Sequence, residues 1–326
     1  MKALVCSEFG PPRTLVMREL PTPQPGPGEV LVEIKASALN FPDVLMVQGL
    51  YQVKPKLPFI PGAEAAGIVA QVGDGVTAWS VGDRVIAFPG QGGFAEACVL
   101  AADRLMALPE EIDFASGAAL MLTYATSLHA LRDCGRLAAG ETLLVLGAAG
   151  GVGAAAVQIG KAMGARVIAA ASSAEKLELC RRLGADATID YALEDLRQRT
   201  LELTEGKGVQ VVYDPVGGTY TEAALRATGW RGRLLIVGFA AGIIPSIPLN
   251  LALLKERALI GVYWGDSVRQ DPAGHARNMQ QLMTWFAEGK IRPAVSEQLP
   301  LARAPEAMQR LLDRKVLGKI IFLPET

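Results

Sequence analysis

Hydrophobic positions in the first 120 residues recur in short runs. MKALVC, EVLVEIKAS, AAGIVAQVG and DRVIAFP are apolar or alternate apolar with polar, the signature of half-buried strands. Pro and Gly punctuate them, as in PTPQPGPGE. One helix is expected here, opening near NFPDVLMVQG. The period changes near Asp113. DFASGAALMLTYATSLHAL has helical apolar spacing, with Asp113 or Ser116 as N-cap.

A regular alternation follows. TLLVLG predicts a strand and GVGAAAVQIGKAMG a helix ended by Gly164. RVIAAAS predicts a strand and SAEKLELCRRLG a helix ended by Gly184. ATIDY reads as a strand, LEDLRQRTLELTEG as a helix, and VQVVYD, RLLIVGF and ALIGVYWG as further strands. Strands that are apolar throughout, alternating with helices, imply a parallel sheet covered on both faces. The alternation stops near Asp266. HARNMQQLMTWFAEGK and APEAMQRLLDRK predict amphipathic helices and GKIIFLP a closing strand. The class is α/β. The simplest architecture is a doubly wound parallel sheet inserted in a β-rich domain: residues 1–120 β-rich, 121–265 the inserted domain, and 266–326 the return to the first domain.

Composition narrows the function classes. The chain has 326 residues, half of them hydrophobic, and a formal net charge of −1. No basic field suits nucleic acid or an acidic membrane. Residues 142–160 carry no charge, but five Gly and a strand-like first third argue against a membrane span. Cys6, Cys98, Cys134 and Cys180 form no CxxC pair. They read as reduced, mostly buried thiols, which with the absence of a signal-like start gives a cytoplasmic expectation.

The stretch GAAGGVG, Gly147 to Gly153, sits between a strand and a helix. The first βα turn of a dinucleotide-binding fold needs small residues for the tight turn, for backbone approach to the pyrophosphate, and for helix–strand packing. Aligned that way, the three positions are Ala148, Gly150 and Gly153, so the first glycine of G-x-G-x-x-G has become alanine. An NAD-binding fold places an acid at the end of the second strand, where this chain has Ala171, Ser172 and Ser173, with Lys176 a turn beyond. Small hydroxyls and a cation suit a 2′-phosphate, hence NADPH. The plainer alternative is that Ser172 or Ser173 caps the next helix and Lys176 is solvated surface.

ALNFPDVLMVQGLY, PFIPGAEAAGIVAQVG, VGDRVIAF, GGFAEACVL, ETLLVLGAAGGVG and VVYDPVGG together resemble the medium-chain dehydrogenase/reductase superfamily. The nearer resemblance is to its zinc-independent branch, the zeta-crystallin-like NADPH:quinone reductases. The resemblance implies a Rossmann domain inserted in a GroES-like catalytic domain. The zinc ligands of metal-dependent relatives would fall at Asn40, Ala63 and about Leu122, and the Cys-rich structural-zinc loop is missing, so no metal is expected. The resemblance places Asn40 and Thr126 at the nicotinamide end, with Gly238 and Phe239 beside it. It places Gly150, Gly151, Val152 and Gly153 on the pyrophosphate, and Ser173, Lys176 and Tyr191, joined by Ser172, on the adenosine phosphate. Close relatives often carry an arginine near the C-terminus as a further phosphate contact; Lys319 is its counterpart here.

Without a metal, hydride transfer to an acceptor that is already electrophilic remains feasible. Quinones and α,β-unsaturated carbonyls qualify. Asn40, Tyr51 and Thr126 are the candidate catalytic residues. Tyr51 and Tyr124 could each donate to the acceptor oxygen, or simply pack at a cleft edge. Asp43 and Glu64 read as structural, and His129 as a half-buried helix residue. The expected cleft lies between the domains, lined by Asn40, Tyr51, Thr126 and Phe239. An enoyl-thioester or 2-alkenal reductase, or a non-enzymatic NADPH-binding redox sensor, are the alternatives. The family resemblance suggests a homodimer, with ALIGVYWG as a pairing edge.

Overall fold

The computed structural model describes residues 1–324. The chain forms two compact units, Met1–Leu122 with the segment from Pro293 onward, and Thr123–Arg292.

In the first unit, β1 (Lys2–Val5) pairs antiparallel with β2 (Val16–Glu19). The long β3 (Glu29–Ala38) carries the alternation VLVEI, whose Val30, Val32 and Ile34 are buried. It pairs antiparallel with β4 (Glu64–Val72), which pairs with β5 (Arg84–Ala87), and β5 with β7 (Leu105–Ala107); β6 (Ala97–Ala101) also pairs with β3. Helix α1 (Phe41–Val47) follows β3, and α2 (Phe114–Ala118) starts at Asp113, whose carboxylate accepts from Ser116 N at 2.9 Å. Thus Asp113, not Ser116, is the cap.

The second unit opens in a widened helix. Met121–Ala125 and His129–Cys134 have π-type turns around α3 (Thr126–Leu128). The alternation then runs β8 (Thr142–Leu146), α4 (Gly151–Ala162), β9 (Arg166–Ala171), α5 (Ala174–Arg182), β10 (Ala187–Asp190), α6 (Leu196–Leu203), β11 (Val209–Asp214), α7 (Thr219–Arg226) and β12 (Thr228–Ile236). After α8 (Asn250–Leu253), β13 (Ala258–Gly261) closes a parallel six-stranded sheet in the order β10-β9-β8-β11-β12-β13. Strand order reverses between β8 and β11, where doubly wound sheets bind ligands. Leu144, Ile168, Val212 and Leu234 form its core.

Helices α9 (Trp264–Gln270) and α10 (Pro272–Ala287) belong to this second unit, so the return to the first falls at Pro293 rather than at 266. The reason is visible in two contacts. Asn278 of α10 donates to Asp133 at 2.7 Å, and Arg292 N donates to the buried Gln158 of α4 at 2.6 Å. Back in the first unit, β14 (Val295–Pro300), α11 (Ala304–Leu312) and β15 (Lys319–Leu323) complete the sheet; β15 pairs antiparallel with β3. The core beneath contains Leu4, Val44, Phe94, Met308 and Phe322, with Phe94 and Phe322 edge to face at 5.1 Å.

Candidate functional site

The glycine turn divides its labour between three positions. Gly147 has φ +57°, a conformation that side chains disfavour, and a Cβ there would lie 2.9 Å from Val216 Cγ2. The tight-turn role read onto Ala148 therefore belongs to Gly147; Ala148 is ordinary buried backbone donating to Ala170 O. At Gly153 a Cβ would stand 2.2 Å from Gly147 O, so helix and strand approach as closely as backbone allows. At Gly150, which precedes the first turn of α4, the nearest atom to a Cβ is Gly147 O at 3.4 Å. The first N–H groups of α4, on Gly151, Val152 and Gly153, are of the kind that bind phosphate. Ser127 Oγ donates to Val152 O at 3.0 Å and shares a 2.9 Å hydrogen bond with the buried Tyr213 hydroxyl, fixing this turn to the helix that carries Thr126.

At the end of β9, Ser173 caps α5 by accepting from Lys176 N at 3.4 Å, while Lys176 Nζ donates to Ser172 Oγ at 3.1 Å. Ser173 is thus the cap of α5, and the Lys176 ammonium stands beside the Ser172 hydroxyl. No acid stands between Ala171 and Ala174. Tyr191 follows β10, its N–H bonded to Ala171 O and its ring 4.4 Å from Tyr220. Gly238 and Phe239 follow β12; a Cβ on Gly217 would meet the Phe239 ring at 2.9 Å. Asp214, not singled out in the sequence, builds this corner. It accepts from Val216 N, Gly217 N and Thr221 Oγ1 at 2.8, 2.9 and 2.6 Å. Burial raises its carboxyl above the ordinary range, with those hydrogen bonds opposing. Gly150, Ser172, Lys176, Tyr191 and Phe239 thus all lie just past the carboxyl ends of parallel strands.

The first unit holds a separate buried network. Lys319 is 4% exposed. Its ammonium donates to Leu39 O, Asn40 Oδ1 and Glu64 Oε1 at 3.0, 2.6 and 2.9 Å. An ammonium has three hydrogens. All three are committed, which removes Lys319 from the phosphate contacts. Asn40 donates both amide hydrogens, to Ala38 O and Glu64 Oε1, so it has none left for a cofactor or an acceptor. Glu64 Oε2 accepts from Leu122 N at 2.8 Å. Asp43 accepts from Asn40 N and Ala63 N at 2.8 and 3.0 Å. Burial pushes the Asp43 carboxyl up to about 7, against the backbone hydrogen bond from Asn40 and the Lys319 charge. Asn40, Ala63 and Leu122, where metal ligands would have stood, are thus tied together through two buried carboxylates and one lysine.

Of the two tyrosines, Tyr124 is spent. Its hydroxyl donates to Arg292 O at 2.9 Å and accepts from Gln158 at 2.8 Å, in the second unit's interior. Tyr51 is half-buried against the first unit's core. Among the described residues no three His, Cys, Asp or Glu side chains are grouped to hold a metal, and no helix is long and apolar enough to cross a membrane.

Known proteins match both units. Residues 26–110 match the alcohol dehydrogenase GroES-like domain, and residues 151–287 the zinc-binding dehydrogenase family. A quinone oxidoreductase-like protein 2 homolog of Nematostella vectensis is 39% identical over 98% of this chain and 88% of its own length. A quinone oxidoreductase of Pseudomonas aeruginosa is 39% identical over 99% of both. A mycobacterial protein solved in complex with NADPH superposes with a TM-score of 0.93 at 34% identity, covering 99% of this chain and 100% of its own. Sequence, fold and the glycine turn agree: the chain belongs to the medium-chain dehydrogenase/reductase superfamily, as an oxidoreductase of its quinone oxidoreductase-like branch.

Proposed function

We propose that this protein uses NADPH to reduce quinones or related α,β-unsaturated carbonyls, without zinc and as a homodimer. The observation that carries the cofactor choice is the Lys176–Ser172 pair at the end of β9, where an acid would serve the ribose of NAD. NADPH, when bound, supplies the hydride. The turn at Gly147–Gly153 would hold its pyrophosphate by backbone N–H groups, and Ser172, Ser173, Lys176 and Tyr191 its adenosine phosphate. Thr126, Gly238 and Phe239 would line the nicotinamide end. Asn40 contributes by position, because its amide is locked by Lys319 and Glu64. Tyr51 remains a candidate donor to the acceptor oxygen. The positions of zinc ligands carry an amide, an alanine and a leucine, none of which suits tetrahedral zinc. A quinone or enone needs no Lewis acid of that kind, since the product anion is mild enough to take a proton from water.

The test is NADPH oxidation with 1,4-benzoquinone, crotonaldehyde, crotonyl-CoA and a saturated ketone side by side, using C4-deuterated cofactor. Slowed turnover of the quinone or the enal, with the ketone inert, is expected. Faster turnover of crotonyl-CoA than of either would establish the enoyl-thioester reading. Turnover of the ketone alone would overturn the proposal, and so would inertness toward all four.

A further inference from the structure

The second unit contains a thiol, an imidazole and a carboxylate that the reductase reading does not use. They meet because the helix is widened. In an α-helix each residue turns about 100°, so residues i and i+5 lie about 140° apart. A π-type turn, with its i→i+5 bonding, brings them closer to one face. His129–Cys134 is such a segment, and Gly135 N bonds to Ala130 O at 2.7 Å. His129 consequently reaches two partners. Its Nδ1 lies 3.0 Å from Asp133 Oδ2 and its Nε2 lies 3.4 Å from Cys134 Sγ.

The roles are ordered by charge. Asp133 is also bound by Arg132 Nε at 3.1 Å and by Asn278 Nδ2 at 2.7 Å. Burial works against ionisation, but the bonds from Asn278, His129 and Arg132 hold its carboxyl below the ordinary range. An ionised acceptor at Nδ1 keeps the imidazole proton there and leaves the Nε2 lone pair facing the thiol. Burial and the Asp133 charge push the Cys134 thiol up, so the group rests as S–H and needs a base as it reacts. Nucleophile, base and orienting carboxylate are the parts of an activated nucleophile. Cys6, Cys98 and Cys180 are buried, Cys6 against the backbone carbonyls of Glu8 and Val47, whereas Cys134 is half-buried.

A cavity lies beside His129 and Asp133, lined also by Trp264, His275 and Asn278; Cys134 does not line it. His275 Nδ1 and Asn278 Oδ1 are buried there without a hydrogen-bond partner among the described residues. Asn278 is 3% exposed, so its orphan acceptor is costly to leave unmet. The geometry points to a second reactive site: Cys134, with His129 as its base, adds to quinones and α,β-unsaturated carbonyls. Sγ bonds to the β-carbon while the C=C pair shifts toward the carbonyl oxygen. The S–H proton passes to His129 Nε2 and from there to the enolate. With 1,4-benzoquinone, the hydrogen on the attacked ring carbon then moves to the remaining oxygen, giving a hydroquinone thioether. The sum is S–H added across the acceptor, and no NADPH is consumed. The inference shares its ligand class with the proposed reaction but not its cofactor or its residues.

The test treats the full chain with 1,4-benzoquinone without NADPH and follows each cysteine by peptide mass spectrometry. Cys134 should gain one benzoquinone mass before Cys6, Cys98 or Cys180. His129→Gln should slow that labelling roughly 100-fold, the lower end of what a positioned base contributes. Asp133→Asn, with thermal melting as the fold check for both variants, should slow it less. Labelling of Cys134 no faster than of the three buried thiols would overturn the inference, as would wild-type rates in both folded variants. NADPH-dependent quinone turnover should persist in Cys134→Ser, so the two proposals fail separately.

Discussion

Gly150 and Gly153 look alike in the sequence, and the structure gives them opposite burdens. A methyl on Gly153 would overlap Gly147 O at 2.2 Å, whereas one on Gly150 meets nothing nearer than 3.4 Å. Gly153→Ala should therefore cost about 1–3 kcal/mol of stability, seen as a lowered melting temperature. Gly150→Val should melt near the wild type yet lose NADPH binding by fluorescence titration. A stable, NADPH-binding Gly150→Val would remove the pyrophosphate from this turn. Lys176 separates the two cofactors. A charge-assisted bond is worth about 1.5–3 kcal/mol, so Lys176→Ala should weaken NADPH roughly 10- to 100-fold and leave NADH nearly unchanged. Equal losses for both would make Lys176 a structural partner of Ser172 only.

Elements in the first unit are pinned by charge as well as by apolar packing. Lys319 at the start of β15 binds Asn40 at the start of α1 and Glu64 at the start of β4. Lys319→Met would leave Glu64 buried with its cation gone, at a cost of about 3–5 kcal/mol; chemical denaturation reads this directly, and an unchanged midpoint would contradict it. Asp43 gives the same network a pH signature. Its folded carboxyl titrates near 7, above the ordinary 3.8. The native state therefore binds the extra proton, and this group's contribution is fully present below about pH 4 and lost as pH rises through 7. The melting temperature of Asp43→Asn should lack that decline between pH 4 and 7, which the difference from wild type isolates. The structural reading of Asp43 and Glu64 was legible, but their cation was not: the family resemblance makes Lys319 in GKIIFLP a phosphate contact, and only the pairing of β15 with β3 turns it inward. The strands of the parallel sheet were legible, since most contain an apolar run such as LLVL, VIAAA or LLI. The widened helix was not. DFASGAALMLTYATSLHAL keeps an apolar face at either 3.6 residues per turn or slightly more, and only backbone bonding distinguishes them. β6 and β7 escaped notice for a related reason: ACVLA and LMA are too short to show a period.

At the scale of the whole molecule, the insertion of one unit in the other was legible from where the strand–helix alternation starts and stops. The second boundary was placed too early because α9 and α10 lack intervening strands, yet they are bound to the sheet-bearing unit through Asn278 and Arg292. The same unit bears on self-association. Among the described residues β13 is an end strand of the six-stranded sheet and pairs only with β12, leaving one side of its backbone without a strand partner. An uncovered edge invites another chain. Beside it in sequence, Leu249, Leu253 and Leu254 are 76, 77 and 67% exposed. Apolar side chains concentrated near an open strand edge mark an interface more often than free surface. The homodimer proposal therefore predicts that light scattering at micromolar concentration returns twice the 34.4 kDa chain mass. Because these leucines are exposed within the chain, replacing Leu253 and Leu254 together with Asp should leave the chain folded, with an unchanged circular dichroism spectrum, and shift it to the single-chain mass. A wild type that is already monomeric, or a double variant that keeps the dimer mass, would place the interface elsewhere or remove it.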